Sequence, residues 1–255
     1  MASVKAQTLK APSSDKTDIH IVLHDCRTRM NCDLGFSIKS QLGGNSTLLN
    51  ASKATNFRYR IEGVVPSVEE IESINSISGN SKVIDRIKEI EKRGGRLVYD
   101  GAESDIFRNN LILLDSQLPE IIASLLLMQV NTGIRDLKTL SGILTQTNPC
   151  EFDSGENTPP FYEYKIKQLL ATFALGMVPK TVWRGLYDAN GGYLVVREDG
   201  EVLAYHFYDR NRFEDYLFHN SYLERSSTTR HDYGKIEKEN DGSLYFKLNL
   251  QIRLH

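Results

Sequence analysis

The sequence predicts an α+β chain: a strand pair near the front, a helical middle and a β-rich C-terminal part. Three observations carry this. Ile19, Ile21 and Leu23 alternate with His20, Val22 and His24, the period of a strand with two different faces. Val83, Ile84, Ile87 and Ile90 recur at helical spacing, and comparable stripes follow as far as Phe173. From Trp183 onward the chain is rich in Val, Leu, Tyr and Phe, broken by Asp199-Gly200 and Asp241-Gly242, two hairpin turn signals.

Taken in order, residues 1–13 lack hydrophobic periodicity and are expected to fray. The first strand follows Asp18, and the polar stretch 27–33 is read as the turn into a second short strand at 35–40. On that second strand Ser37 and Lys39 point to one face, Phe36 and Ile38 to the other. Residues 41–56 form a loop with Gly43-Gly44 and many small polar side chains, and 57–61 a strand with Phe57, Tyr59 and Ile61 on one face. Pro66-Ser67 starts a helix bearing Val68, Ile71 and Ile74, and 81–92 is a helix ending at Gly94-Gly95. A short strand at 96–99 precedes helices at 104–114, 119–130 and 134–144, with Pro119 suited to a first helical turn. The polar loop 145–160, with Pro149, Gly155 and Pro159-Pro160, is the best internal boundary and divides the chain into parts 1–150 and 151–255. An amphipathic helix at 162–176 follows, then a hairpin of 192–197 with 202–207, a short helix at 213–217, a polar loop at 226–231, and strands at 233–236 and 244–253.

Composition narrows the class. The chain has 255 residues, 40% hydrophobic and 25% charged, which is ordinary for a globular protein with a sizeable core. No apolar run approaches the roughly 20 residues a membrane-spanning helix needs, so no membrane partner is expected. No basic-then-apolar leader is present, and Cys26, Cys32 and Cys150 are odd in number without paired metal-ligand spacing. A reducing cytoplasm fits. The net charge of −2 argues against a protein that coats nucleic acid indiscriminately, though not against a locally basic cleft. Lys53, Arg58 and Arg60 supply one basic cluster, and Arg225, Arg230, Lys235 and Lys238 another.

If the first two strands pair as a hairpin, Asp18 and Lys39 converge near its open end. A hard divalent cation, foremost magnesium, takes oxygen ligands, which Asp18 and a main-chain carbonyl near Ile38 can supply. Lys39 then suits the orientation of a water and the balancing of charge beside a phosphodiester. By spacing alone the pair also fits an ordinary ribbon with a capping Asp and a solvated Lys. Two other segments suit nucleic acid: Asn50, Ser52, Lys53 and Asn56 could clamp phosphate oxygens, and Thr229, Arg230 and His231 in the 226–231 loop could reach phosphates or base edges. A polar connector with solvated Arg and His is the other reading of that loop.

The stretches 18–22, 34–43 and 47–57, together with 227–231 and 248–253 near the C-terminus, resemble the type II restriction endonucleases typified by HpaII. That family is similar to the broad PD-(D/E)XK nucleases, in which an Asp begins one strand and an acidic-x-Lys triplet lies on the next. The resemblance implies a mixed central sheet of restriction-endonuclease-like type, with catalytic roles for Asp18, Ser37 and Lys39 and Mg²⁺ held by Asp18 and Ile38. Ser37 stands where the wider group has Glu or Asp. It also implies cleavage of double-stranded DNA at a short palindrome, CCGG, and hence a homodimer or two successive binding events. Parts 1–150 and 151–255 then become a nuclease core and a DNA-reading part. Relatives are expected to carry a longer N-terminal helical region that supplies a further acidic ligand. No Glu precedes Asp18 here and Asp15 is too close to it, so a shortened member is expected. That leaves open a DNA-binding remnant that no longer cuts, and the charge balance alone leaves open an interaction module without nucleic acid.

Overall fold

The alternating stretch behind Asp18 forms strand β1 (Ile19–Asp25), paired antiparallel with β2 (Met30–Ser40) from Ile19↔Phe36 to Asp25↔Met30. The computed structural model describes residues 17–25, 29–40, 45–206 and 209–255. The fray expected at 1–13, residues 27–28 of the expected turn, residues 41–44 of the loop and Phe207 of the later hairpin lie outside the described residues. β2 corrects the sequence reading, because 30–33 belong to the strand rather than to the turn. Met30, Asn31 and Asp33 are exposed. A ladder needs only backbone N–H and C=O groups, so polar side chains can continue a strand wherever both its faces meet solvent.

β2 pairs in parallel with β6 (Gly192–Val196), from Phe36↔Gly192 to Ser40↔Val196, and β6 pairs antiparallel with β7 (Val202–His206). The first sheet thus runs β1-β2-β6-β7. A parallel neighbour requires a crossover, and here the crossover carries the whole helical middle. Two glycines permit the close approach. A Cβ on Gly35 would sit 2.3 Å from the Asp188 carbonyl, and one on Gly192 would sit 2.6 Å from the Tyr205 carbonyl.

The second sheet joins β4 (Asn56–Glu62), β5 (Arg96–Ala102), β9 (Ile236–Lys238) and β10 (Leu244–Asn249) in the order β5-β4-β10-β9. The third joins β3 (Thr47–Leu49), β8 (Ser221–Leu223) and β11 (Ile252–Leu254) in the order β3-β11-β8. The single strand expected at 244–253 is therefore two. Leu250 donates to the Thr55 carbonyl and the Gln251 carbonyl accepts from Glu224, which turns the chain out of one sheet and into another. The strand expected at 233–236 begins only at Ile236, since Tyr233 and Gly234 hold the turn before it. Each sheet draws strands from both sides of the 145–160 loop.

The helices are α1 (Val68–Ser76), α2 (Lys82–Lys92), α3 (Asp105–Leu114), α4 (Leu118–Thr132), α5 (Leu137–Thr147), α6 (Phe161–Leu175), α7 (Arg210–Asn220) and α8 (Thr228–His231). Ser67 and Glu70 close a reciprocal capping box on α1. α5 starts later than expected because the Asp136 carboxylate caps it, accepting from Thr139 N at 2.7 Å. The turn of α8 replaces part of the loop expected at 226–231, with Ser227 Oγ accepting from Arg230 N at 3.3 Å. α4 is the central helix: Leu118, Ile121, Ile122, Leu125 and Leu126 are all buried, and Tyr59 donates to the Ala123 carbonyl at 2.8 Å. Each such side chain contributes roughly 1.5–3 kcal/mol on leaving water. No single helix among the described residues is long and apolar enough to cross a membrane.

Where the second and third sheets meet, the buried Asn249 amide donates to the Ser52 carbonyl (2.8 Å), Thr55 Oγ1 (3.1 Å) and Asn56 Oδ1 (2.7 Å). Removing that donor leaves buried acceptors unsatisfied. Asn249→Ala is expected to lower stability by about 2 kcal/mol, read as a lower urea midpoint at unchanged slope.

Candidate active site and nucleic-acid surface

Asp18 sits one residue before β1, its N–H donating to the Phe36 carbonyl at 2.8 Å. Its carboxylate is folded back onto β2: Oδ2 accepts from Ile38 N at 2.6 Å and from Ser37 Oγ at 3.3 Å. Backbone groups along a strand alternate sides, so Ile38, like Phe36, turns its N–H and its C=O toward the β1 edge. β1 ends short of that point. The Ile38 carbonyl and the exposed Asp18 carboxylate therefore share one edge of the sheet that is open among the described residues.

Ser37 is buried and Lys39 half-buried, both on the face Asp18 occupies. Across the parallel ladder Ser37 lies beside Tyr193 and Lys39 beside Val195, both fully buried. Burial pushes the Lys39 ammonium below the usual lysine range, while the Asp18 charge pulls it back up. His20, also on this face, points its Nδ1 at Asp33 Oδ1 (3.4 Å) rather than at Asp18. Asn190, which the sequence did not single out, steadies the arrangement from the side. Its Oδ1 accepts from Gly35 N at 2.7 Å, fixing β2 against the chain entering β6. Only the parallel register reveals Asn190 and Tyr193 as neighbours of the site; no local pattern marks them.

The two segments read as phosphate or base contacts meet each other. Lys53 Nζ lies 3.0 Å from Asp232 Oδ2, and the Asn56 amide donates to the His231 carbonyl at 2.9 Å. Asn50, Lys53, Thr229 and Arg230 are exposed, while Ser52 and His231 are half-buried. Burial and the neighbouring Arg230 hold the His231 imidazole below its usual range. Asn56 corrects the expectation of a clamp contact. It is fully buried and its amide also donates to Glu103 Oε2 at 2.8 Å, so it braces α8 instead of facing solvent. Arg58 and Arg60 are ion-paired with Glu239 (2.6 Å) and Glu62 (3.2 Å), and Arg58 lies over the Tyr245 ring. Beside α8 an open polar groove is lined by Asn80, Ser81, Lys82, Arg225, Ser227 and Thr229.

A hard divalent cation fits the open edge. Asp18 offers a carboxylate oxygen outside its two internal bonds, and Ile38 a carbonyl. Among the described residues no group of three or more His, Cys, Asp and Glu side chains could hold a metal by itself. Mg²⁺ tolerates this, because it keeps several waters and relies on one or two carboxylates plus substrate phosphates.

Comparison with known proteins places the chain in a family. The Type II restriction enzyme HpaII of Haemophilus parainfluenzae is 48% identical over 245 residues, which make up 96% of this chain and 66% of that protein. This chain thus spans slightly less than two thirds of that relative's length. No solved structure matches it. The sequence model of the HpaII restriction endonuclease family matches residues 1–254, and the chain belongs to that family.

Proposed function

We propose that this chain is a Mg²⁺-dependent, site-specific endonuclease acting on double-stranded DNA at a short palindrome, CCGG. The observation that carries the reading is the Asp18 carboxylate bonded to Ile38 N and Ser37 Oγ, on the face that also bears Lys39. The antiparallel pair followed by a parallel strand after a helical crossover is consistent with a restriction-endonuclease-like sheet. Symmetry of the target argues for a homodimer, one subunit per half-site.

In this reading Asp18 and the Ile38 carbonyl would hold the cation. Ser37 cannot ligate as the usual carboxylate would. It acts through Asp18, fixing Oδ2 so that the other carboxylate oxygen faces the open edge. Lys39 orients the attacking water and offsets charge developing on the phosphate, and its partial burial strengthens that interaction. When bound, the cation supplies Lewis acidity and a more acidic water. Thr229 and Arg230, presented at the end of α8, reach base edges, while Asn50, Ser52 and Lys53 hold the backbone.

Incubation of the chain with plasmid DNA and Mg²⁺ should give ends that share one sequence context, and excess EDTA should abolish them. Asp18→Ala and Lys39→Ala should each lower cleavage at least ~100-fold while DNA binding survives in a gel-shift assay. Unchanged cleavage in both variants would remove the assignment. Separately, Arg230→Ala should weaken specific binding by about 1–3 kcal/mol and relax the preference at one base pair, with little change in affinity for random DNA. An equal loss on both DNAs would make Arg230 a backbone contact.

A further inference from the structure

Tyr193 is fully buried, yet among the described residues its hydroxyl has no hydrogen-bond partner. The residue lies on β6 directly across from Ser37, on the face to which Ser37 turns its hydroxyl toward Asp18. Asp18, Ser37, Tyr193 and Tyr205 therefore form one row across four neighbouring chain segments. The Tyr193 ring packs against Phe213, with centroids 5.0 Å apart. Burial, with Tyr216 and Asp18 nearby, pushes its phenol well above the usual range, so it stays a donor.

A phenylalanine would fill this place without an unsatisfied polar atom, since an orphaned buried hydroxyl destabilises a fold. Phe213, against the Tyr193 ring, carries no hydroxyl, and Tyr205 and Tyr216, which do, are only half-buried. The hydroxyl of Tyr193 is thus a donor without a structural use, placed in the row that ends on the carboxylate of the candidate site. Metal-ligating carboxylates are commonly steadied by such outer donors, whose loss weakens metal binding about 10–100-fold.

We propose that Tyr193 is a positioning residue: its hydroxyl donates, directly or through one water, to the Asp18 carboxylate when that carboxylate ligates a divalent cation. The inference rests on the nuclease reading above and adds a residue to its cation site. It acts through Asp18 and does not touch the reacting phosphate.

The test uses Mn²⁺ as probe, its binding to the full chain followed by electron paramagnetic resonance without DNA. Wild type should bind and Asp18→Asn should not. Tyr193→Phe should bind about 10-fold or more weakly, with a melting temperature equal to or above wild type. Tyr205→Phe, in the same row but farther from Asp18, should bind as wild type does. If Tyr193→Phe matches wild type while Asp18→Asn loses binding, the role of Tyr193 is overturned and the nuclease site stands. If Tyr193→Phe loses binding together with a lowered melting temperature, the hydroxyl is structural and the proposal falls. If wild type does not bind, or Asp18→Asn binds equally well, the cation site itself falls and this inference with it.

Discussion

The parallel ladder from Phe36↔Gly192 to Ser40↔Val196 is the constraint on which the candidate site depends. Among the described strands β1 is an edge strand attached only to β2, and the outer part of their hairpin stands in solvent, with Ile21, Val22 and Met30 exposed. A hairpin in that state is marginal by itself. Its inner end is different. Ser37 is buried there, and Tyr193 and Val195 beside it sit in the main core under Phe213. The burial that stabilises the hairpin is thus concentrated where Asp18 and Lys39 come together. The same burial desolvates Lys39, so one packing arrangement both fixes the geometry and sets the electrostatics.

A second constraint is polar. Asn249, Thr55 and Asn56 exchange hydrogen bonds in the interior, and Asn56 continues outward to the carbonyls of His231 and Asp232. Nearby, the buried Lys247 ammonium lies 2.9 Å from Glu237 and 3.6 Å from Glu103. Apolar packing is tolerant of small sliding, whereas an amide with several partners accepts one placement. The network defines where α8 begins. Arg230 is exposed, but its backbone is not free: its N–H bonds to Ser227 Oγ, and the preceding turn is tied through Ser226 Oγ to Asn249 Oδ1.

How legible this was depends on the range of the interactions. Local signals in the chain were enough for the helical middle. The Ser67 cap, Pro119 and the stripe through Val83, Ile84, Ile87 and Ile90 place α1, α4 and α2 within a few residues. The alternation after Asp18 and the two Asp-Gly turns place three hairpin segments. Long-range pairing was not legible. Residues 30–33 look like a turn by polarity, yet their backbone pairs with β1, where the partners Val22 and His24 are exposed as well. The 244–253 run looks like one strand, yet it bends where Leu250 and Gln251 bond to segments far away in sequence. Within the site, Asp18, Ile38 and Lys39 came from strand alternation and from a family resemblance. Asn56 was misread because an Asn in a polar loop gives no sign of burial. Asn190 and Tyr193 went unnoticed because only the crossover brings β6 to β2.

The two candidate regions are connected by a short physical path. The Ser40 carbonyl at the end of β2 accepts from Ser46 Oγ at 2.5 Å, and the Ser46 carbonyl accepts from Leu254 N at 2.8 Å. β3 then pairs with β11, and β11 with β8, whose following residue Glu224 bonds to Gln251 just before the 226–231 segment. β2, which bears the proposed catalytic residues, is thereby linked through the third sheet to the surface that carries Arg230. For an enzyme that cuts at a fixed offset from the bases it reads, that spacing has to hold to a fraction of an ångström, since small misplacement of a reacting group costs large factors in rate. A chain of hydrogen bonds, all but the first between backbone groups, meets that requirement better than a flexible linker.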